Sequence, residues 1–165
     1  MKFWNRIIVI LLVSISCIGC DQSTKSIASQ YLPKNGMDSY FNDLLRLGYA
    51  ENVGAFLGMG SHLPEQYRFL LFTVVVGVLL SAFLFYLIFN KKLSFLSLAA
   101  LSLMFAGGSS NFFDRVVNNG AVVDFLNIGV GSLRTGIFNV ADMAILLGCF
   151  IFFLTQKMEY KHNDL

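Results

Sequence analysis

Phe69-Leu70-Leu71-Phe72-Thr73-Val74-Val75-Val76-Gly77-Val78-Leu79-Leu80-Ser81-Ala82-Phe83-Leu84-Phe85-Tyr86-Leu87-Ile88-Phe89 is a run of 21 residues without a charge. A helix needs about 20 mostly apolar residues to cross the hydrocarbon core of a bilayer, so this run predicts a membrane span. Asn90-Lys91-Lys92 closes it. Three further runs have the same character. Phe3 to Gly19 is apolar except for Asn5, Arg6 and two serines, and it continues as a helix through Asp21-Gln22-Ser23-Thr24-Lys25. Leu93 to Phe113 is a second uncharged 21-residue stretch, with the small residues Gly107-Gly108-Ser109-Ser110 inside it. Phe138 to Leu154 is the fourth, 17 residues or roughly 25 Å at 1.5 Å each.

Composition agrees. Of 165 residues, 56% are hydrophobic and 13% charged, and the mean hydropathy is +0.66. A soluble domain is about a quarter charged. The net charge is +2 and the bases are scattered, so there is no basic patch for nucleic acid. Cys17, Cys20 and Cys149 lie in apolar runs and form no zinc pattern. Cys17 and Cys20 read as buried thiols. No metal and no cofactor are expected.

The expected fold is an α-helical integral membrane protein of one domain, residues 1–165. Its four transmembrane helices lie at about 3–25, 69–89, 93–113 and 138–154, with loops at about 26–68 and 116–137. The first loop holds both prolines and the turn signal Lys34-Asn35-Gly36. Leu44 to Tyr49 and Ala55 to Leu57 read as short strands around Glu51-Asn52-Val53-Gly54, which makes this a small β-rich extracytoplasmic region. Gly54 and Gly58 suggest tight turns or close backbone approach. Leu63 to Arg68 reads as a short surface helix.

Orientation follows from the bases near the span ends. Lys2, Arg6, Lys91, Lys92, Lys157 and Lys161 fall on one side of a four-span layout, with only Glu159 and Asp164 as acids. That side is predicted to be cytoplasmic, with both termini. The other side receives eight of the ten acids, among them Asp21, Asp114, Asp124 and Asp142.

Two of these acids stand out. Asp142 opens the last apolar run, four residues inside its expected start, or roughly 6 Å below its end. Asp124 lies eighteen positions earlier, in Val122-Val123-Asp124-Phe125. Acids kept at membrane depth usually face protein or water and mark function. Two carboxylates that share a site cannot both ionise easily, which provides one base to activate water and one acid to protonate a leaving group. His62 and His162 are the only histidines, and His162 is on the cytoplasmic side, so no serine–histidine or cysteine–histidine pair competes. The bland readings are that Asp142 is a helix-start residue favoured by the dipole and Asp124 a turn residue. Likewise, Asp21 and Lys25, four apart, read as a weak ion pair at a solvated helix end, and Asp114-Arg115 as a structural bridge. Gly107, Asn111, Asp114 and Arg115 share one helical face, where small residues admit a neighbouring helix.

Two other classes compete. A small transporter or channel could use the acids as a relay, but the middles of the second and fourth spans carry no charge. A basic start, an apolar stretch and a cysteine also suggest a lipoprotein signal ending at Cys17 or Cys20. Neither Ser14-Ile15-Ser16-Cys17 nor Cys17-Ile18-Gly19-Cys20 has leucine three before the cysteine, and three more spans follow.

Five blocks occur in order: Asp21-Gln22-Ser23-Thr24-Lys25, Asn52-Val53-Gly54-Ala55-Phe56, Asn111-Phe112-Phe113-Asp114-Arg115, Val122-Val123-Asp124-Phe125 and Phe138-Asn139-Val140-Ala141-Asp142. In these the chain resembles lipoprotein signal peptidase, the type II signal peptidase of bacteria, over nearly its whole length. Ser110 departs from the glycine usual in that family, and its extra hydroxymethyl group is expected to bear on helix packing. The resemblance implies an intramembrane aspartic endopeptidase with Asp124 and Asp142 as the catalytic dyad. It would cleave prolipoproteins before their diacylglyceryl-modified cysteine. The resemblance also implies that Asp21, Lys25, Asn52, Gly54, Asn111, Asp114, Arg115, Asn139 and Ala141 shape or support the site. Arg115 would offset the acids' charge, and Asn52 and Asn139 would orient them. Lipid-modified prolipoproteins and membrane lipid are the expected partners. The expected setting is a monomer in the bacterial cytoplasmic (inner) membrane with its active site at the outer face.

Overall fold

The computed structural model describes residues 1–55 and 58–163. Five helices and four strands follow in the order α1 (Phe3–Tyr31), β1 (Asp38–Tyr40), β2 (Leu45–Asn52), α2 (Glu65–Phe69), α3 (Val76–Phe89), α4 (Phe95–Val117), β3 (Val122–Val130), β4 (Leu133–Arg134) and α5 (Val140–Asn163). A π-helical turn, Leu70–Val75, joins α2 to α3 without a break, so Glu65–Phe89 is one continuous span. Among the described residues, four helices are long and apolar enough to cross a membrane: Phe3–Tyr31, Glu65–Phe89, Phe95–Val117 and Val140–Met158.

The helices run past the expected ends. α1 reaches Tyr31 rather than Lys25; its 29 residues measure about 43 Å, against a hydrocarbon core of about 30 Å. The short surface helix expected at Leu63–Arg68 is instead, from Glu65 on, the sheet-side end of the second span. α4 lies at the centre, packed against α1, α3 and α5. Gly107 sits where α4 meets α5: a Cβ there would collide with the Ala141 carbonyl oxygen and lie 2.8 Å from Ile145 Cγ1. Small residues allow this approach because lipid tails offer no hydrophobic drive to hold helices together, and close packing must supply it.

At the end opposite the sheet, Leu87 and Leu98 are fully buried beside Ile10 and Leu101. Arg6, 2% exposed, donates to the Leu87 carbonyl at 2.7 Å and to that of Asn90 at 2.7 Å. It thereby satisfies carbonyls that the end of α3 leaves open and opposes the negative end of the helix dipole.

The two loops form one antiparallel sheet in the order β1-β2-β3-β4. The second loop therefore contributes strands, and Asp124 lies in β3 rather than in the turn that is the bland alternative for it. β2 pairs with β3 across 74 positions, Ala50 opposite Asp124 and Asn52 opposite Val122, with an irregularity between Leu47 and Ala50. The turn signal at Lys34-Asn35-Gly36 is a bend, with Gly36 at φ +95°. Of the second strand expected at Ala55–Leu57, Ala55 is a bend, and Phe56 and Leu57 lie outside the described residues. The thiols differ as well. Cys17 is half-buried, and Cys20 and Cys149 are exposed on the helix surfaces. In a membrane bundle the lipid, rather than a protein core, can receive an apolar side chain.

Replacing Gly107 by alanine is expected to cost about 1–3 kcal/mol, as overpacking against backbone does. Gly19→Ala, inside α1 where a Cβ meets nothing within 4 Å, is expected to stabilise by up to about 1 kcal/mol, the helix-interior difference between the two residues. Thermal unfolding of the two variants in detergent measures the difference.

Candidate active site

The polar residues of α1, α4 and α5 converge beneath the sheet around a single lysine. Lys25 Nζ lies 2.8 Å from Asp21 Oδ2 and 2.9 Å from Asp114 Oδ2, with all three side chains at most 4% exposed. It also donates to Asn111 Oδ1 at 2.8 Å. Asp21 and Lys25 are thus a buried pair, not a solvated helix end. Buried charges persist only when their remaining hydrogen-bonding capacity is filled, and here it is. Asp21 Oδ1 accepts from the Ala141 amide at 2.8 Å. Asp114 accepts from the Val123 amide at 3.0 Å and from Gln22 Nε2 at 2.8 Å. Asp114 therefore bridges to Lys25 and not to its neighbour Arg115.

Ser110 completes this network. Its hydroxyl donates to Asp21 Oδ2 at 2.7 Å and accepts from Gln22 Nε2 at 2.9 Å. The added side chain does not push the helices apart; it fills a polar gap between α1 and α4. Gln22 is the residue here that the sequence reading left without a role, although its place beside Asp21 in the polar end of α1 was the available signal.

Asn139 joins the two acids singled out above. It precedes α5, and its Oδ1 accepts from the Asp142 amide at 2.9 Å while Asp142 Oδ2 accepts from the Asn139 amide at 3.1 Å. This is a reciprocal capping arrangement, so Asp142 does start a helix. It lies in the first turn of α5, shallower than the four residues expected. The same Asn139 sends Nδ2 to Asp124 Oδ1 at 2.7 Å, and it is 0% exposed. Asp142 Oδ1 accepts from Asn111 Nδ2 at 2.9 Å. Asp124 Oδ2 accepts from Asn52 Nδ2 at 3.1 Å. Asn52 and Asp124 are diagonal neighbours across β2 and β3, within reach on one face of the sheet. Ala50, directly opposite, leaves the space open.

Phe138 holds the two halves together. Its carbonyl accepts from the Phe125 and Leu126 amides at 3.0 and 2.8 Å, and its amide donates to Leu126 at 2.8 Å. This brings the start of α5 against β3. Gly54 follows Asn52 in a turn closed by its amide on Asn52 Oδ1 at 3.0 Å. A Cβ on Gly54 would stand 2.6 Å from the Met59 carbonyl oxygen, so only glycine fits. Its carbonyl accepts from Arg115 Nη2 at 2.8 Å.

Asp124 and Asp142 line one cavity of about 440 Å³, with Asn52, Asn111 and Arg115 among its polar walls and Phe72, Val76, Ile145 and Leu146 among its apolar ones. Asp124 is 3% exposed. Its burial, and next the Asp142 carboxylate, push its pKa up to about 7, against the hydrogen bonds from Asn52 and Asn139 and the charge of Lys25. A carboxyl that holds its proton near neutrality beside a second carboxyl can exchange protons with a bound molecule. No cluster of three or more metal-ligating side chains occurs among the described residues.

Four spans with their polar chemistry gathered beneath a small sheet define a multi-pass membrane protein with a buried two-acid cavity. The family model described as Signal peptidase (SPase) II matches residues 13–158, and the chain belongs to that family, as a peptidase of the bacterial membrane. It is 36% identical over 150 residues to the lipoprotein signal peptidase of Staphylococcus haemolyticus, covering 90% of each chain. It is 34% identical over 128 residues to that of Syntrophus aciditrophicus, covering 78% of this chain and 75% of the relative. A solved structure described as a bacterial membrane enzyme superposes with a TM-score of 0.78 at 25% identity, covering 93% of this chain and 90% of that one.

Lys25→Met strands two buried carboxylates. It is expected to lower stability by about 3–5 kcal/mol, the range for removing one partner of a buried ion pair. Lys34→Met on the exposed surface is expected to cost less than about 1 kcal/mol. Thermal melts of the two purified variants give the comparison.

Proposed function

We propose that this chain is an intramembrane aspartic endopeptidase that removes signal peptides from prolipoproteins by cleaving before the diacylglyceryl-modified cysteine. The observation that carries the reading is one cavity lined by two acids that hang from the same asparagine. Asp124 holds a proton near neutrality and Asp142 serves as the base. The Asp142 carboxylate takes a proton from a water whose oxygen attacks the scissile carbonyl carbon. The tetrahedral intermediate then collapses: the C–N bond breaks, and the amine of the cysteine leaves with a proton from Asp124. The pair ends with its proton on the other acid, and exchange with water resets it. The family's name and its relatives' names support the substrate class and leave a transport role without support.

The asparagines act as positioning residues. Asn52 and Asn139 hold Asp124, and Asn111 holds Asp142, because Lys25 occupies the Asn111 carbonyl oxygen and turns its amide nitrogen toward the acid. Arg115 lines the cavity without pairing to either acid and supplies positive potential there. The apolar walls at Ile145 and Leu146, the latter 59% exposed on α5, give the substrate's acyl chains a continuous path to lipid. The distribution of bases supports an orientation with both termini in the cytoplasm. The site then lies at the outer face, where a lipid-anchored cysteine must sit. Nothing in the mechanism requires a second copy of the chain.

Asp124→Asn and Asp142→Asn are each expected to reduce cleavage of a diacylglyceryl prolipoprotein in proteoliposomes to background while the protein still inserts. Full activity in either variant would sink the reading. In the wild type, Asp124 keeps its proton below about pH 7 and loses it above. The singly protonated pair is therefore depleted as pH rises, and the cleavage rate is expected to fall across about pH 7–9. A rate that stays flat over that window would remove Asp124 as the acid.

A further inference from the structure

A second cavity, of about 570 Å³, lies beside the first at the sheet end of the bundle; its lining includes Glu65, Arg68, Phe69, Thr73, Arg115 and Val116. Arg115 lines both cavities, but neither proposed catalytic acid borders the second. Two of its lining residues each carry a buried polar atom with no hydrogen-bond partner among the described residues, Thr73 Oγ1 and Arg115 Nε. Thr73 is 8% exposed. A buried polar group without a partner is uncommon and costly. The exception has a local cause: Thr73 sits in the π-helical turn Leu70–Val75, and such turns recur at functional sites.

The walls grade from polar to apolar. Glu65 and Gln66 are exposed at the polar rim. Phe69, 59% exposed, and Val116, 58% exposed, present apolar surface along the spans. Arg68 spends one nitrogen on the Ser61 carbonyl at 3.2 Å and has others to offer. Glu65 makes no ion pair among the described residues. The cavity thus presents two guanidinium groups, a buried hydroxyl, one unpaired carboxylate and an apolar flank at the level where α2 enters the membrane.

We propose that this cavity binds a phospholipid whose headgroup joins a phosphate to an ammonium, taken from the leaflet on the sheet side. The phosphate oxygens accept from Arg68, and rotation of the Arg115 and Thr73 side chains brings their closed-off donors to the same phosphate, since guanidinium–phosphate pairs are charge-assisted and geometrically matched. The ammonium meets Glu65, and the acyl chains lie along Phe69 and Val116. The substrate's own diacylglyceryl group carries no phosphate; its ester carbonyls are neutral, weaker acceptors for a guanidinium, so the two ligands are chemically distinct. The inference goes beyond the peptidase reading and does not depend on it, because binding is measured without cleavage.

The test is native mass spectrometry and thermal unfolding of the full chain, delipidated in detergent and titrated with phosphatidylethanolamine. Saturable binding of one lipid and a rise in unfolding temperature are expected. Arg68→Gln and Thr73→Val, which remove donors with little change of shape, are each expected to weaken binding by about tenfold, the factor set by ~1.4 kcal/mol. Diacylglycerol and inorganic phosphate, titrated separately, are expected to bind far more weakly than the phospholipid. The proposal is overturned if diacylglycerol binds as well as the phospholipid, or if inorganic phosphate alone reproduces the stabilisation. Unchanged affinity in both variants also overturns it, as does displacement of the lipid by a diacylglyceryl prolipoprotein in direct competition.

Discussion

The structure depends on one buried cation. Lys25 Nζ lies between Asp21 of the first span and Asp114 of the third, and each carboxylate uses its other contacts to hold something else. Asp21 holds the start of α5 through the Ala141 amide, and Asp114 holds β3 through the Val123 amide. In a low-dielectric interior such a cluster is favourable only when complete, because each member left alone carries a desolvation cost with nothing to offset it. The fold is therefore specified at this point by mutual satisfaction more than by hydrophobic burial, which lipid makes nearly neutral among helices.

From that cluster the order passes to the two-acid cavity through amides alone. Lys25 fixes Asn111, Asn111 fixes Asp142, and Asn139 ties Asp142 to Asp124. Amide side chains suit this work because each presents a donor and an acceptor at fixed separation. Once the acceptor side is committed to a cation or a backbone amide, the donor side must face the carboxylate. The charge of the lysine is thus felt at the cavity both as potential and as orientation. It also explains why the helix-capping role and the proposed chemical role of Asp142 are not rivals. The cap uses one lone pair of Oδ2, and the carboxylate retains capacity toward the cavity.

The helices were legible because long uncharged runs have few alternatives in a membrane. Their ends were not. Asp21, Lys25 and Asp114 look like boundary residues when counted singly, but they sit inside helices because they find partners on neighbouring spans. The sheet was partly visible. Val122, Val123, Ile128 and Val130 are β-branched and bounded by Gly120 and Gly131, yet β3's partner lies 74 positions away on β2, a distance over which a single sequence carries no pairing information. The two acids could be singled out because a carboxylate in apolar surroundings is conspicuous, whereas Gln22 is an unremarkable residue whose importance lies wholly in what it faces, and Ser110 stood out only as a departure whose polar partners the sequence does not reveal. The thiols were misjudged for a related reason: rules for burial in water do not carry over to a surface bathed in lipid.

The hydrogen bond from the Ala141 amide to Asp21 spans 120 positions, and that separation bears on the order of assembly. The end of the first span is made early in synthesis and the start of the last span late. Until the two meet, the first turn of α5 lacks one of its amide partners and Asn139 is not held against β3. The cavity is therefore assembled only after the whole chain has threaded the bilayer. If the two acids do the chemistry proposed for them, the peptidase's working parts come together only with its last span, and its topology itself becomes the step that switches it on.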